Sequence, residues 1–523
     1  VPLPDYFLER SKALQSPKPD YYYGKKEISM RRLPKIIFAI FAGLIPIIGV
    51  SGTYAEIEER VVEHELANGM RFLIFERHDA PLVSMVIAVK AGAVNEVTNK
   101  TGIAHFLEHL AFKGTQRIGT KNYKAERKAL SELDAAFKAY HKAEQEGADS
   151  EVIETLYAEF KQRQEKASSY IVQGELSEIY DRNGATRFNA STGYDYTTYI
   201  ITLPSNRFEL WCAMESDRMA NPVFREFYSE RDVILEERRM RTDNSPRGLF
   251  YEEFRSVSYK AHPYGHPILG HLSDMENLSR KDARAFYETY YVPQHMTAAI
   301  VGDVNAEEII PLIDKYFGRI PKRPDPPGLI TKEPEQPGVR RVQMQIGRQP
   351  RLYMGFPTVF KGHEDELALD LLASVLGQGR TSRLYRALVE ERKLASSIRA
   401  WQSNMLYAGQ FGFSAIPAEG VTAAELEEAV LGELAELKEN PITEEELDAA
   451  CARWKVRIYT YLSSNLGMGY MLAQGDQGNT GWQDIFRIPE RAEKITPQDL
   501  MDAAERYIDP SRRSVGLMEV AND

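Results

Sequence analysis

Within this chain one unit is written twice. A strand-like run from Tyr199 to Pro204 leads into a helical stretch closing at Asn221-Pro222, and the same order returns from Phe411 to Pro417 with closure at Asn440-Pro441, 219 residues after the first closure. A duplicated chain is restricted to architectures that one unit can build two times over. At 523 residues it is also too long for one compact core. Between the copies lies Pro321-Lys322-Arg323-Pro324-Asp325-Pro326-Pro327, followed by Pro334, Pro337 and Gly338, so residues 321–340 are expected to form a linker. Strand-like runs (Leu82 to Val89, Thr197 to Leu203, Thr297 to Val301) are interleaved with amphipathic helices before it. The same mixture follows it, with strands near Leu352 to Phe356 and Gln410 to Ile416 and helices near Glu364 to Leu376 and Ala423 to Lys438. The expected fold class is α+β, with related domains over residues 56–320 and 341–520.

The first copy carries His105-Phe106-Leu107-Glu108-His109. On a helix, positions i and i+4 share a face and i+3 lies only slightly off it, so both imidazoles and the Glu108 carboxylate project into one volume. Two imidazoles so placed can grip one metal ion while the carboxylate reaches its water, an arrangement suited to hydrolysis. The order H-x-x-E-H inverts the commoner H-E-x-x-H. Lys113-Gly114-Thr115 then closes the helix with a glycine. Catalytic zinc takes three protein ligands and leaves a fourth position open. The best candidate for the third lies in the helical stretch from Ser229 to Glu237, where Glu230 and Glu237 are seven residues apart and share a face, with Phe227, Val233 and Ile234 expected beside them. Glu236 groups instead with Asp232 and Arg239 on the solvated side. A carboxylate on an apolar face is costly unless it is paired or metal-bound, so Glu237 is the expected ligand and Glu230 a supporting group. Carrying the 219-residue offset forward puts Ala449 opposite Glu230 and Val456 opposite Glu237, so the second copy has lost the acidic site.

Further segments fall into line with these. The histidine segment runs on through Phe112-Lys113-Gly114-Thr115, and Asn189-Ala190-Ser191-Thr192 follows with Asp195, Thr197 and Tyr199. After Glu230 to Glu237 come His262-Pro263-Tyr264-Gly265 with Gly270, then Val301-Gly302-Asp303-Val304. In this order, and over roughly residues 56 to 520, the chain resembles the M16 peptidases, the inverzincins that include pitrilysin, insulysin and the mitochondrial processing peptidase. The likeness is nearest to the bacterial two-domain, dimeric members, as their zinc-bearing subunit. It implies two related sandwich domains, each an antiparallel-rich sheet flanked by helices, of which only the first holds metal. It implies one Zn2+ per chain on His105, His109 and Glu237, with Glu108 as general base toward a zinc-activated water and Glu230 in support. It also implies that the strand Asn189, Ala190, Ser191, Thr192 binds extended substrate by its backbone. The implied activity is that of a zinc metalloendopeptidase cutting peptides or unfolded polypeptides.

Two features depart from the resembled pattern. Glu237 follows His109 by 128 positions, many more than the family uses. The surplus falls at about residues 121–172, where Leu130, Leu133, Phe137 and Tyr140, then Ile153, Leu156, Tyr157 and Phe160, recur at helical spacing around a turn at Gln145 to Asp149. An inserted helical hairpin is expected there, as a solvated decoration rather than a substrate gate. The second departure concerns an Arg and a Tyr that the family places in the zinc-free domain to hold substrate and stabilise the oxyanion. Aligned on Leu394-Ala395, their positions fall on Val389 and Ser396, and neither can do that work. The expectation is a heterodimer in which a second M16-like subunit supplies the pair; the alternative is a homodimer or monomer in which Arg383 and Tyr385 substitute. A protease dedicated to one peptide precursor would share all these residues. A non-catalytic assembly subunit is disfavoured by the intact His105, Glu108, His109 and Glu237.

A hydrophobic content of 43% suits a globular protein, and a net charge of −11 argues against nucleic acid or an anionic membrane surface as the main partner. Cys212 and Cys451, far apart, are expected to be buried free thiols. Residues 36–50 are almost wholly apolar, follow Arg31, Arg32 and Lys35, and precede Thr53-Tyr54-Ala55. Residues 30–55 therefore read as a secretory signal starting at Met30, behind an upstream extension over residues 1–29. The mature chain is expected to begin near Glu56 and to be periplasmic or secreted from a bacterium, without a membrane span. A retained anchor is the runner-up, disfavoured by the shortness of the run and by Pro46.

Overall fold

The computed structural model describes residues 54–521. The expected upstream extension and nearly all of the expected signal sequence lie outside the described residues, among which no helix is long and apolar enough to cross a membrane. Strands β1 (Val62–Glu65), β2 (Arg71–Glu76), β3 (Leu82–Val89), β4 (Thr186–Thr192), β5 (Thr197–Pro204) and β6 (Met296–Gly302) form one sheet in the order β1-β2-β6-β3-β5-β4. Strands β7 (Arg340–Gln345), β8 (Arg351–Thr358), β9 (Ala395–Ser403), β10 (Gly409–Pro417) and β11 (Ser514–Glu519) form a second in the order β7-β11-β8-β10-β9. Only β2 with β6, and β7 with β11, run parallel. Strand for strand, β2-β6-β3-β5-β4 matches β7-β11-β8-β10-β9, parallel pair included. The repeat seen in the sequence is thus a repeat of topology. Between Ile320 and Arg340 the chain forms neither helix nor strand.

The central strands are apolar on both faces, and each face has its own partner. Val83, Met85, Ile87 and Val89 of β3, with Ala298 and Ile300 of β6, pack beneath helices that include Ile103–Leu110 and Phe208–Ala220. Val86 and Ala88, with Ala299 and Val301, point the other way and join the core of the second sheet. The element between them is the helix Asn465–Asp476, capped by the Ser464 hydroxyl. This late helix lies on the first sheet. A Cβ on Gly469 would stand 3.0 Å from Val86 Cγ2, Arg77 donates to the carbonyls of Leu462 and Ser463, and Asp476 accepts from Thr297.

Helices Tyr123–Gln145 and Ser150–Ser168 occupy the region of the expected hairpin. They do not stand off as a decoration. Phe137 and Phe160 both pack on Tyr228, with ring centroids 4.4 and 5.3 Å away, because the aromatic stripe is wider than the seam between the two helices needs. Cys212 is buried, whereas Cys451 is only half-buried, its thiol turned to the Ala492 carbonyl.

Gly469 faces Val86 and Val301 of the first sheet, with room for little more than a Cβ. Gly469→Leu should therefore lower stability by about 1–3 kcal/mol, the usual cost of overpacking, read as an earlier midpoint in urea unfolding.

Candidate metal centre

The helix Ile103–Leu110 starts from Gly102, which sits at φ 87°, where a Cβ would meet the Leu269 carbonyl oxygen at 2.8 Å. Its first N–H groups are satisfied from outside. Buried Glu96 accepts from the N–H of Gly102 at 2.8 Å and of Ala104 at 2.9 Å, so its carboxyl group caps the start of the helix. Burial pushes the Glu96 carboxyl up to about 8, against the pull of those two N–H groups. The chain leaves this segment through Gly114, at φ 89°.

The second element is the helix Phe227–Arg238. It is approached through Phe224 and Glu226, both at positive φ (56° and 58°), a strained conformation for residues with side chains. Between them Arg225 is fully buried and holds the turn. Its Nε donates to Glu126 Oε1 at 2.7 Å, Nη1 to the carbonyls of Lys113 and Ile118, and Nη2 to Glu126 Oε2 and the Thr115 carbonyl. One guanidinium thus fastens the segment after the histidine helix to the segment before the glutamate helix.

These two helices bring His105, His109 and Glu237 together, with one ligand atom of each lying within 4.8 Å of the others. Glu237 Oε2 stands 3.4 Å from His109 Nε2 and 3.9 Å from His105 Nε2. Glu230 Oε1 lies 3.0 Å from His109 Nδ1 and therefore keeps the imidazole proton on that nitrogen. Nε2, the other nitrogen of that ring, faces the Glu237 carboxylate oxygen. A cation between them can take both as ligands, and about 3.4 Å is the spacing expected of two ligands at 2.0–2.2 Å from a tetrahedral zinc. Burial pushes His105 down to about 3, helped by the charges of His109 and Arg241, so it is a neutral imidazole with a lone pair to give. The residues present fit zinc.

The surrounding groups are arranged around that set. Burial opposes the charge on Glu230, but His109 and Lys113, whose Nζ is 2.6 Å from Glu230 Oε2, outweigh it and hold the carboxyl below its usual range. Glu108 is buried and raised by that burial, with a countering hydrogen bond from Thr192 Oγ1 to its Oε2 at 2.6 Å. Glu237 Oε1 receives Arg241 Nη1 at 2.9 Å. Glu236 is turned to solvent and paired with Arg239. Val233 is 53% exposed, contrary to the expected packing: the core contact of this helix is made by Phe227 and Ile234, and Val233 falls beyond its edge. Asn189, Ala190, Ser191 and Thr192 end β4, whose one strand partner among the described residues is β5, so its outer edge is open. Ser191 Oγ lies 2.9 Å from Tyr470 OH on the late helix.

Sequence reasoning missed Glu96, Lys113, Arg225, Arg241 and the hydroxyl of Thr192 as parts of the site. Lys113 carried a signal, four residues beyond His109 and of opposite charge to Glu230. Glu96 and Arg225 carried none, since their partners are set by the fold.

Residues 71–147 match the profile described as Insulinase (Peptidase family M16), and residues 277–453 match that of the Peptidase M16 inactive domain. His105, Glu108 and His109 fall in the first match, and Glu237 lies between the two. The chain is 29% identical over 438 residues to the zinc protease PqqE of Helicobacter pylori, covering 82% of this chain and 85% of that protein. It is 24% identical over 403 residues to the uncharacterized zinc protease YmxG of Bacillus subtilis, covering 76% and 83%. Among solved structures, a protease from Helicobacter pylori superposes with a TM-score of 0.74 at 26% identity, over 88% of this chain and 99% of that one. The first half of the periplasmic protease PqqL from Escherichia coli shares the fold, with a TM-score of 0.64 at 18% identity over 89% and 92%.

Glu230 fixes the His109 proton without lying among the three converging atoms. Glu230→Leu should weaken zinc binding by about 10- to 100-fold while leaving a folded chain, as measured by competition with a chromogenic chelator.

Proposed function

We propose that this chain, which belongs to the M16 peptidase family, is a zinc-dependent endopeptidase that hydrolyses peptides or unfolded polypeptides. The observation that carries this reading is the convergence of three potential ligand atoms, from His105, His109 and Glu237, beside the buried carboxyl group of Glu108. One Zn2+ per chain would be held there. Zinc supplies Lewis acidity, polarising a carbonyl and bringing the pKa of a water from 15.7 to about 7.

The remaining chemistry falls to the chain's own groups. Glu108 accepts the proton of the attacking water and returns it to the leaving amine. Its burial raises its basicity, and the Thr192 hydroxyl holds Oε2 so that the carboxylate faces the site in one rotamer. Glu230 and Lys113 keep His109 in a single tautomer. Substrate is bound as an added strand on the open edge of β4, at Asn189, Ala190, Ser191 and Thr192. Backbone pairing of this kind reads side chains loosely, which accounts for a broad choice of extended peptides.

A second M16-like subunit completes the enzyme in this reading. Val389 packs into the apolar core of the second half and the Ser396 hydroxyl is spent on the Ile416 carbonyl, so neither offers a donor to substrate. The Arg383 guanidinium is held by Glu446 and by the carbonyls of Asn440 and Pro441, and Tyr385 packs against the core. These commitments support a partner that brings the Arg and Tyr. The basic and apolar run from Arg31 to Ala55 supports export, so the pair would work outside the cytoplasm.

Glu108→Gln should keep about one zinc per chain and lose nearly all peptidase activity, whereas His105→Ala and Glu237→Ala should lose the metal as well. Metal analysis of the purified variants checks this; zinc lost from Glu236→Ala but kept by Glu237→Ala would refute the ligand assignment.

Peptide cleavage by the purified chain alone should be weak, about a hundredfold or more below that of the chain with its co-purifying subunit, the usual cost of missing oxyanion donors. Full activity of the chain by itself would rule out the heterodimer.

A further inference from the structure

Glu237 presents its two oxygens to different surroundings. Oε2 faces the imidazoles of His105 and His109, while Oε1 is 2.9 Å from Arg241 Nη1. We propose that Arg241 is a positioning residue that holds Glu237 as a one-oxygen ligand and thereby keeps a coordination position free for water and substrate. The proposal rests on the zinc-peptidase reading above. Zinc has no geometric preference of its own from d electrons, so the protein must fix the number of ligand atoms. A carboxylate with both oxygens unclaimed is free to chelate, and a second oxygen on the metal would take the position that the reaction needs.

Exposed Arg–Glu pairs are usually worth little. This one differs in three ways. Glu237 is only 15% exposed, and its second oxygen is already directed at the two imidazoles. The Arg241 backbone is fixed even though 68% of its side chain is exposed: it lies in the π-helical turn Arg239–Asp243, and a Cβ on Gly248 of the next helix would overlap its carbonyl oxygen. Turns of this kind are rare and recur at functional sites. On its other side Arg238 is buried and anchored to Glu252 and to the Gly270 carbonyl, which leaves Arg241 as the residue of this turn that reaches Glu237. A guanidinium is also the better holder, because its planar fork keeps one N–H on a carboxylate oxygen where an ammonium would wander.

The test uses the full chain, as wild type and as Arg241→Met and Arg241→Lys, each loaded with cobalt(II) in place of zinc. Four-coordinate cobalt absorbs visible light more strongly than five-coordinate cobalt, so the band intensity reports the number of ligand atoms. The wild type should give the strong, four-coordinate spectrum. Arg241→Met should still bind one metal per chain but show the weaker, five-coordinate spectrum and an activity about tenfold or more lower in the zinc form, with Arg241→Lys between the two. A metal-loaded Arg241→Met chain with the wild-type spectrum would overturn the proposal. A wild-type chain that binds neither zinc nor cobalt would instead overturn the zinc reading itself, and is told apart by metal analysis before any variant is compared.

Discussion

Everything at the metal centre depends on a charge that has no contact with solvent. Arg225 is buried against Glu126, which is buried as fully, and taking two ions out of water costs several kcal/mol each before any attraction is counted. The cost is offset because the guanidinium spends its N–H groups on fixed acceptors: two carboxylate oxygens and the carbonyls of Lys113, Thr115 and Ile118. Those acceptors come from the segment after the histidine helix and from the first helix of the hairpin. The spacing of the histidine and glutamate helices is thereby set by hydrogen-bond geometry, with apolar packing such as Phe106 on Phe227 filling the space between. The hairpin, which supplies Glu126 and an aromatic wall for Tyr228, is part of the frame that places Glu230 and Glu237.

Within that frame the carboxylates are given different electrostatic settings. Glu230 has two cationic or protonated neighbours and stays ionised, which suits a group whose task is to hold His109. Glu108 has one neutral donor and a buried position, so its proton affinity rises, which suits a base. Glu96, deeper still, meets only the amide groups at the start of the histidine helix. Their surroundings, more than their identity, divide the work.

The second half of the chain reaches the site from behind. The helix Asn465–Asp476 lies across the sheet face opposite the histidine helix, and through Tyr470 and Gln474 it touches Ser191 on β4 and Thr198 on β5. The edge proposed to receive substrate is therefore backed by a helix from the other half of the chain. That backing limits how far β4 can bend.

How much of this could be read in advance follows from the range of each interaction. β3 and β6 were legible because an unbroken apolar run needs no knowledge of the rest of the chain, and the grouping of His105, Glu108 and His109 follows from helical spacing alone. Periodicity also separated Glu237 from Glu236, which the fold turns to solvent. It misplaced Val233, because a helical face says which residues align but not where the neighbouring core ends. Arg225 and Glu96 were invisible for a different reason. Arg225 meets carbonyls more than a hundred residues away and Glu96 meets backbone amides, whereas Arg241 stands four residues beyond Glu237, a helical spacing that could have shown the pair. Backbone groups carry no sequence signature, so a side chain whose partners are amides and carbonyls looks like any surface charge until the fold surrounds it.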